Sequence, residues 1–206
     1  MWINPYERLG LRCNPFTAEQ IPGVTEDLWL DRGFSQPPQP RERILFQFIG
    51  EKGAGKTSHL LHWRKQTGGS YTYYPPGWGR WHIPPVEPIT YWDEADRIPI
   101  PLLLAALAQA SYQGATIVAG THEDLSWVGR FVRLKVRTIR FHRLTLETIL
   151  AWAEKRIQAV TLPEVKQVGL KLDRADIEPI VGNAGASWRE VATYLHIWAA
   201  KIARVC

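Results

Sequence analysis

The first regular pattern along the chain is a short, almost continuously apolar run, Ile44-Leu-Phe-Gln-Phe-Ile49, which ends at a glycine. A run of that length without polar alternation reads as a strand buried on both faces, the kind found inside a parallel sheet. Thr57 to Gln66 reads as a helix closed by Gly68-Gly69. Further strands are expected at Ser70 to Tyr74, Ile89 to Trp92, Ala115 to Gly120 and Val136 to Phe141. Pro99-Ile100-Pro101 permits a helix to start, because proline is tolerated in a first turn, and the alanine- and leucine-rich stretch Leu102 to Ser111 continues it to a stop near Gly114. Strands alternating with helices predict an α/β fold, a parallel sheet covered on both faces.

The flanks read differently. The first forty residues hold Asn14-Pro15-Phe16, Ile21-Pro22-Gly23 and a proline-rich run from Gln36 to Pro40, which favours turns and extended backbone and suggests a wrapping arm. From Thr145 the pattern is helical only: Leu146 to Val160, a shorter helix around Asp173 to Val181, and Trp188 to Arg204, whose Val191, Leu195, Trp198 and Ile202 make one apolar face. The expected organisation is an arm over residues 1–43, a sheet core over 44–144 and, over 145–206, a helical lid too short for a large core of its own that leans on the sheet domain.

Composition changes this picture little. At 206 residues and 45% hydrophobic, the chain can bury the core of one domain with a small appendage. It contains no run long and apolar enough to span a membrane, and Glu7, Arg8, Arg12, Pro5 and Pro15 replace the apolar centre of a signal peptide, so a cytoplasmic location without membrane contact is expected. Cys13 and Cys206 are far apart and fit neither a disulfide framework nor a zinc site. The net charge of +5 accommodates a nucleic-acid partner without requiring one, and ten tryptophans favour a partner surface.

The chemistry is concentrated in two places. Gly50-Glu-Lys-Gly-Ala-Gly-Lys56-Thr57 has the spacing of a phosphate-binding loop between a strand and a helix. Its glycines let backbone N–H groups converge on phosphates, and the following helix adds positive potential at its N-terminus. The nucleotide-binding candidates are therefore Gly50, Glu51, Lys52, Gly53, Ala54, Gly55, Lys56, Thr57 and Ser58, with Lys56 on the β- and γ-phosphates and Thr57 on Mg²⁺. Asp93 and Glu94 end the strand Ile89 to Trp92 at the same sheet edge. Asp93 is the second metal candidate, and Glu94 the candidate general base for a water in line with the γ-phosphate. A solvated acidic helix start is the rival for Asp93 and Glu94.

On these motifs, and on an opening of Tyr6, Gly10-Leu11 and Pro15-Phe16, the chain resembles a compact member of the AAA+ ATPases, and within them the ExeA/TnsC-like branch. The resemblance implies an ATP-binding αβα core with a helical lid, Mg²⁺ and ATP as ligands, oligomers with ATP at subunit interfaces, and remodelling of a partner or DNA-linked work. It also implies roles for three more residues. Thr121 stands where the family senses the γ-phosphate, with capping of the turn before Glu123-Asp124 as its rival. Arg189, in the capping-box sequence Ser187-Trp-Arg-Glu190, matches the lid arginine, with a solvated helix arginine as the alternative. Arg130, ahead of Arg133, is the choice for the arginine that acts on a neighbouring subunit.

One departure stands out. The segment from the first helix to Ile89 is too short for the element that many relatives use to grip a polymer in a pore, and it holds Tyr71-Thr-Tyr-Tyr-Pro-Pro-Gly-Trp78-Gly-Arg80-Trp81-His82 instead. The expectation is a proline-braced loop that packs its tryptophans back on the sheet, against an alternative in which the rings stack on unpaired bases or dock a protein. The leading functional expectation is Mg·ATP hydrolysis coupled to an oligomer or partner. A nucleotide-dependent adaptor with negligible turnover is its alternative, and a small-molecule kinase stands third.

Overall fold

The computed structural model of the chain describes residues 4–17, 34, 36–165, 168–184 and 187–205. The expected turn at Ile21 to Gly23 and the thiol of Cys206 lie outside the described residues. Two compact units form, one from residues 31–142 and one from residues 1–30 together with 143–206.

In the first unit the apolar runs become strands β1 (Ile44–Ile49), β2 (Ser70–Tyr73), β3 (Ile89–Asp93), β4 (Thr116–Thr121) and β5 (Lys135–Arg140). All pair in parallel, in the order β2-β3-β4-β1-β5. Helices α1 (Lys56–Thr67), α2 (Ile100–Gln113) and α3 (Ser126–Phe131) cover the sheet. Successive strand residues face opposite sides. Phe46, Phe48, Tyr91 and Val118 pack with Leu60 and Trp63 of α1, whereas Leu45, Trp92, Ile117 and Ala119 pack with Leu103 and Leu107 of α2 and Val128 of α3. Both faces are buried, which is why the central strands read as unbroken apolar runs. Helix α2 begins with proline in its first turn and stops at Gly114, which takes the left-handed conformation (φ 68°) that a side chain disfavours.

The one polar residue of the β1 run does structural work. Gln47 is fully buried, and its amide shares its two N–H bonds among Asp124, Ser126 and Thr138, each at 2.8 Å. Its carbonyl oxygen accepts the Leu125 N–H at 2.9 Å. The segment after β4 and the neighbouring strand β5 are thereby tied to β1. Asp124 also accepts the Ser126 N–H, starting α3, a helix the sequence pattern did not predict because six residues are too few for a periodicity to emerge.

The loop after β2 departs from expectation. Tyr74 is buried and stacks on His82 at 5.0 Å, but Trp78 and Trp81 point into solvent, 87% and 58% exposed. The tryptophans do not pack back on the sheet. A short 3-10 turn over Trp78–Arg80, preceded by Gly77 and containing Gly79, holds them outward.

The second unit contains α4 (Leu146–Val160), α5 (Arg174–Ala184) and α6 (Trp188–Val205). The residues 4–17 that opened the expected arm belong to it: Leu9, Leu11 and Phe16 are buried among Ile149, Ala153, Ile177, Val191 and Leu195. Phe16 stacks on Trp152 at 5.9 Å, and Arg156 donates to the carbonyls of Pro15 at 2.6 Å and Thr17 at 3.0 Å. The helical unit therefore draws its core from both ends of the chain, which offsets the small size of the C-terminal segment.

Replacing Gln47 by Leu strands the Leu125 N–H in the interior and frees the chain after β4. A loss of about 2–4 kcal/mol in urea unfolding, with unchanged m-value, is expected. Asp124 supplies a pH signature. Its carboxyl is held down to about 2, chiefly by hydrogen bonds from Ser126 and Gln47, with Arg140 adding to them. A depressed carboxyl stabilises the fold above its unfolded pKa and loses that contribution as pH falls through the folded one. Asp124→Asn should thus lower the melting temperature at neutral pH and narrow the gap to wild type between about pH 4 and about pH 2.

Candidate functional site

The loop between β1 and α1 is shaped by its glycines. Gly53 (φ 83°) and Gly55 (φ 96°) adopt left-handed backbone, and the Gly50 N–H reaches across to the Thr121 carbonyl at 3.3 Å. Lys56 opens α1, is only 5% exposed, and donates from Nζ to the carbonyls of Gly50 at 2.7 Å and Glu51 at 3.1 Å. Burial pushes the Lys56 ammonium below the usual lysine range, opposed by the carboxylates of Glu94, Asp93 and Asp96. Ala54 is buried, while Glu51, Lys52, Thr57 and Ser58 are exposed along the outer rim.

The acid strand meets this loop. Thr57 donates its hydroxyl to Asp93 Oδ2 at 2.7 Å, although β4 lies between β1 and β3 in the sheet. Gly120 makes that reach feasible. It pairs in register with both Phe48 and Asp93, and a Cβ there would sit 2.9 Å from Asp93 Oδ1 and 3.0 Å from Leu60 Cδ1. Asp93 is 2% exposed and receives a second hydroxyl, from Tyr71 on the edge strand β2, at 2.8 Å. Burial, reinforced by the Asp93 charge and hydrogen bond, holds the Tyr71 phenol well above the usual tyrosine range, so it stays a donor.

Glu94 follows Asp93 in left-handed backbone (φ 60°), an unfavourable conformation for a residue with a Cβ. The turn aims its carboxylate away from Asp93. Its Oε2 lies 2.8 Å from Arg97 Nη2, an ion pair without hydrogen-bond alignment, and 3.4 Å from His122 Nδ1. His122 also lies 3.4 Å from Asp96 Oδ2, and its backbone N–H donates to Asp96 Oδ1 at 3.0 Å. Glu94, Asp96 and His122 bring three metal-type ligand atoms within 4.8 Å, but the Arg97 guanidinium already supplies the positive charge at Glu94.

The other expected residues fall elsewhere. Thr121 ends β4 fully buried, and its hydroxyl donates to the Glu123 carbonyl at 2.8 Å while accepting the Glu123 N–H, so it caps the turn. Its neighbour His122 is the residue that meets Glu94. Arg130 is exposed on α3 beside Phe131, itself 76% exposed, and pairs with no carboxylate among the described residues. Arg189 is exposed in the first turn of α6, behind Ser187, which accepts the Glu190 N–H at 3.3 Å. Tyr71, Arg97, Gly120 and His122 were not singled out for the site from sequence.

The donor set fits a nucleotide and its metal: a glycine-shaped loop, a buried lysine, and a hydroxyl and a carboxylate already in contact. A cleft of about 380 Å³ adjoins the loop, lined by Gly50, Glu51, His122 and Arg140 among others.

No protein-family model matches the sequence, and no curated protein matches it. Among solved structures, the chain resembles the Thermotoga maritima RuvB Holliday junction branch migration motor, at 16% identity and a TM-score of 0.52. A threonine-to-valine variant of that protein gives 16% identity and 0.51. Each match covers 79% of this chain and 55% of the other, so the chain corresponds to little more than half of those structures. At that identity the likeness is one of fold, and the fold is the αβα arrangement of P-loop nucleotide-binding proteins with a helical C-terminal segment.

Gly120→Val would force Asp93 off Thr57. An affinity for Mg·ATP at least about tenfold weaker is expected by fluorescent-nucleotide titration, with the circular dichroism spectrum unchanged. Tyr71→Phe keeps the ring and removes one donor from Asp93, so a smaller loss, about threefold, is expected in the same titration.

Proposed function

We propose that this chain binds Mg·ATP at the Gly50 to Thr57 loop and hydrolyses it to ADP and phosphate, as an AAA+-like ATPase. The observation that carries this reading is the 2.7 Å contact between Thr57 and Asp93, with Glu94 next in the chain. Lys56, now folded on its own loop carbonyls, exchanges them for phosphate oxygens, and the loop N–H groups hold the same charge. Thr57 and Asp93 would hold Mg²⁺, which would supply neutralising charge for the phosphates. Tyr71 keeps the Asp93 carboxylate oriented. Glu94, once released from Arg97, orients a water and takes its proton. Arg189 is proposed to report nucleotide state from the helical unit, and Thr121 to fix the turn that presents His122.

Homo-oligomerisation is part of the reading. Arg130, flanked on α3 by Trp127 and Phe131, both exposed, is proposed to reach a neighbouring copy's nucleotide, with Arg133 as the less favoured choice. The assignment to the ExeA/TnsC-like branch is carried by Tyr6, Gly10-Leu11 and Pro15-Phe16 alone, and the likeness to RuvB adds nothing to it. DNA-linked work is proposed from the resemblance and a cytoplasmic setting from the sequence composition; the division into core and lid is proposed with residues 4–17 counted in the helical unit and not in an arm. No described helix is long and apolar enough to cross a membrane.

A second reading has its own support. Glu94 is held by Arg97 and faced by His122 instead of standing free to take a proton, which favours a nucleotide that acts as a conformational ligand with little turnover.

Phosphate release separates the two. With ATP and Mg²⁺, release should rise faster than linearly with protein concentration and fall about a hundredfold in Glu94→Gln. Arg130→Ala should lose release while retaining nucleotide binding. Tight binding without release at any protein concentration would sink the hydrolase and leave the switch.

A further inference from the structure

The loop between β2 and β3 has no part in the site's chemistry, yet it is built rather than slack. Tyr74 is anchored in the core and stacked on His82, the His82 ring contacts the Gly79 carbonyl at 3.0 Å, and Trp92 Nε1 donates to the Pro85 carbonyl. A Cβ on Gly79 would meet Pro75 Cγ at 2.8 Å, so the turn that carries Trp78 is packed closely on the proline brace. On this frame Trp78 and Trp81 stand 6.3 Å apart, both largely in solvent, with Ile83 56% exposed beside them. Keeping two indoles in water costs stability that a rigid frame sustains without repaying.

Charge decides what covers them. No carboxylate occurs between Tyr74 and Val86, whereas Arg80 and His82 interleave the rings and Arg97 stands at the loop's base. The Arg80 Nε is buried without a hydrogen-bond partner. Two exposed indole faces beside the Arg80 guanidinium, in a loop without acids, match the bases and phosphates of a single strand, which stacks on aromatic faces and tracks positive charge. An apolar helix would ask instead for one continuous greasy face.

The loop is also wired to Glu94. Arg97 Nη1 donates to Tyr73 Oη at 3.2 Å and to the Tyr74 carbonyl at 3.0 Å, its guanidinium lies 5.9 Å from the Tyr73 ring centroid, and Nη2 holds Glu94. Tyr73 and Tyr74 are the residues from which the tryptophan loop departs.

We infer that residues 73–83 form a docking surface for single-stranded nucleic acid and that Arg97 relays its occupation to Glu94. The relay rests on the hydrolytic reading above; the docking does not. The test is fluorescence anisotropy of a labelled oligothymidylate against the whole chain without nucleotide, followed by phosphate release with and without the oligonucleotide. Wild type should bind, Trp78→Ala/Trp81→Ala should bind at least about tenfold more weakly, and Trp78→Phe/Trp81→Phe should recover most of the affinity. Undiminished binding by the alanine variant, or no binding by wild type, overturns the docking surface. Self-association that the alanine variant loses, without oligonucleotide binding, assigns the face to a second copy and overturns it as well. Oligonucleotide should raise wild-type release severalfold and leave the alanine variant unmoved; release insensitive to a bound strand overturns the relay. Absence of any release refutes the hydrolase and leaves the anisotropy result standing.

Discussion

Everything at this sheet edge depends on one short contact across a strand. Thr57 stands in the first turn of α1, just after the loop that follows β1, and Asp93 ends β3; in the sheet β4 runs between β1 and β3. A side chain on the first turn of α1 reaches one at the end of β3 across β4 only if β4 yields space, and Gly120 yields it: with any Cβ there, the Asp93 carboxylate would have to move. The requirement is steric, and it accounts for a glycine in the fully buried strand β4, where bulk would pack better. Glycine weakens a strand by about 1 kcal/mol or less, an acceptable loss in β4, paired on both sides and buried on both faces.

The charges are arranged around that contact in two groups. Lys56 and the loop amides gather positive potential on one side, and Asp93 sits between two hydroxyl donors on the other. Glu94, one residue on, belongs to a different group with Arg97, His122 and Asp96. The left-handed backbone at Glu94 separates the two. A single peptide unit thus directs one carboxylate to the hydroxyls of Thr57 and Tyr71 and the next to a cation at the root of the aromatic loop. If Glu94 activates water, its release from Arg97 is the step at which turnover is controlled.

How far the sequence revealed this follows from which interactions are local. The loop and the acid pair were legible because each is a contiguous motif beside a strand whose apolar run is unmistakable, and the strands at 44–49, 70–73 and 89–93 emerged close to their expected limits. Tyr71 and Gly120 were not legible as site residues, since their role comes from strand order, which hydrophobic pattern does not encode. His122 was hidden behind Thr121: the threonine hydroxyl looked like the chemical group, but it is bonded within its own turn. For Trp78 and Trp81, composition is compatible with burial and with exposure, and the decision lay in the proline and glycine geometry of the turn. The core of the helical unit was underestimated because Leu9, Leu11 and Phe16 come from the other end of the chain.

Calorimetric titration with ATP, with and without Mg²⁺, for wild type and Asp93→Asn tests the convergence of loop and acid strand most directly. Wild type should bind ATP, and Mg²⁺ should tighten that binding by about tenfold or more, an increment that Asp93→Asn abolishes while weak metal-free binding through the loop persists. An affinity indifferent to Mg²⁺, or an increment that survives in Asp93→Asn, would mean that Thr57 and Asp93 meet for the sake of the fold alone.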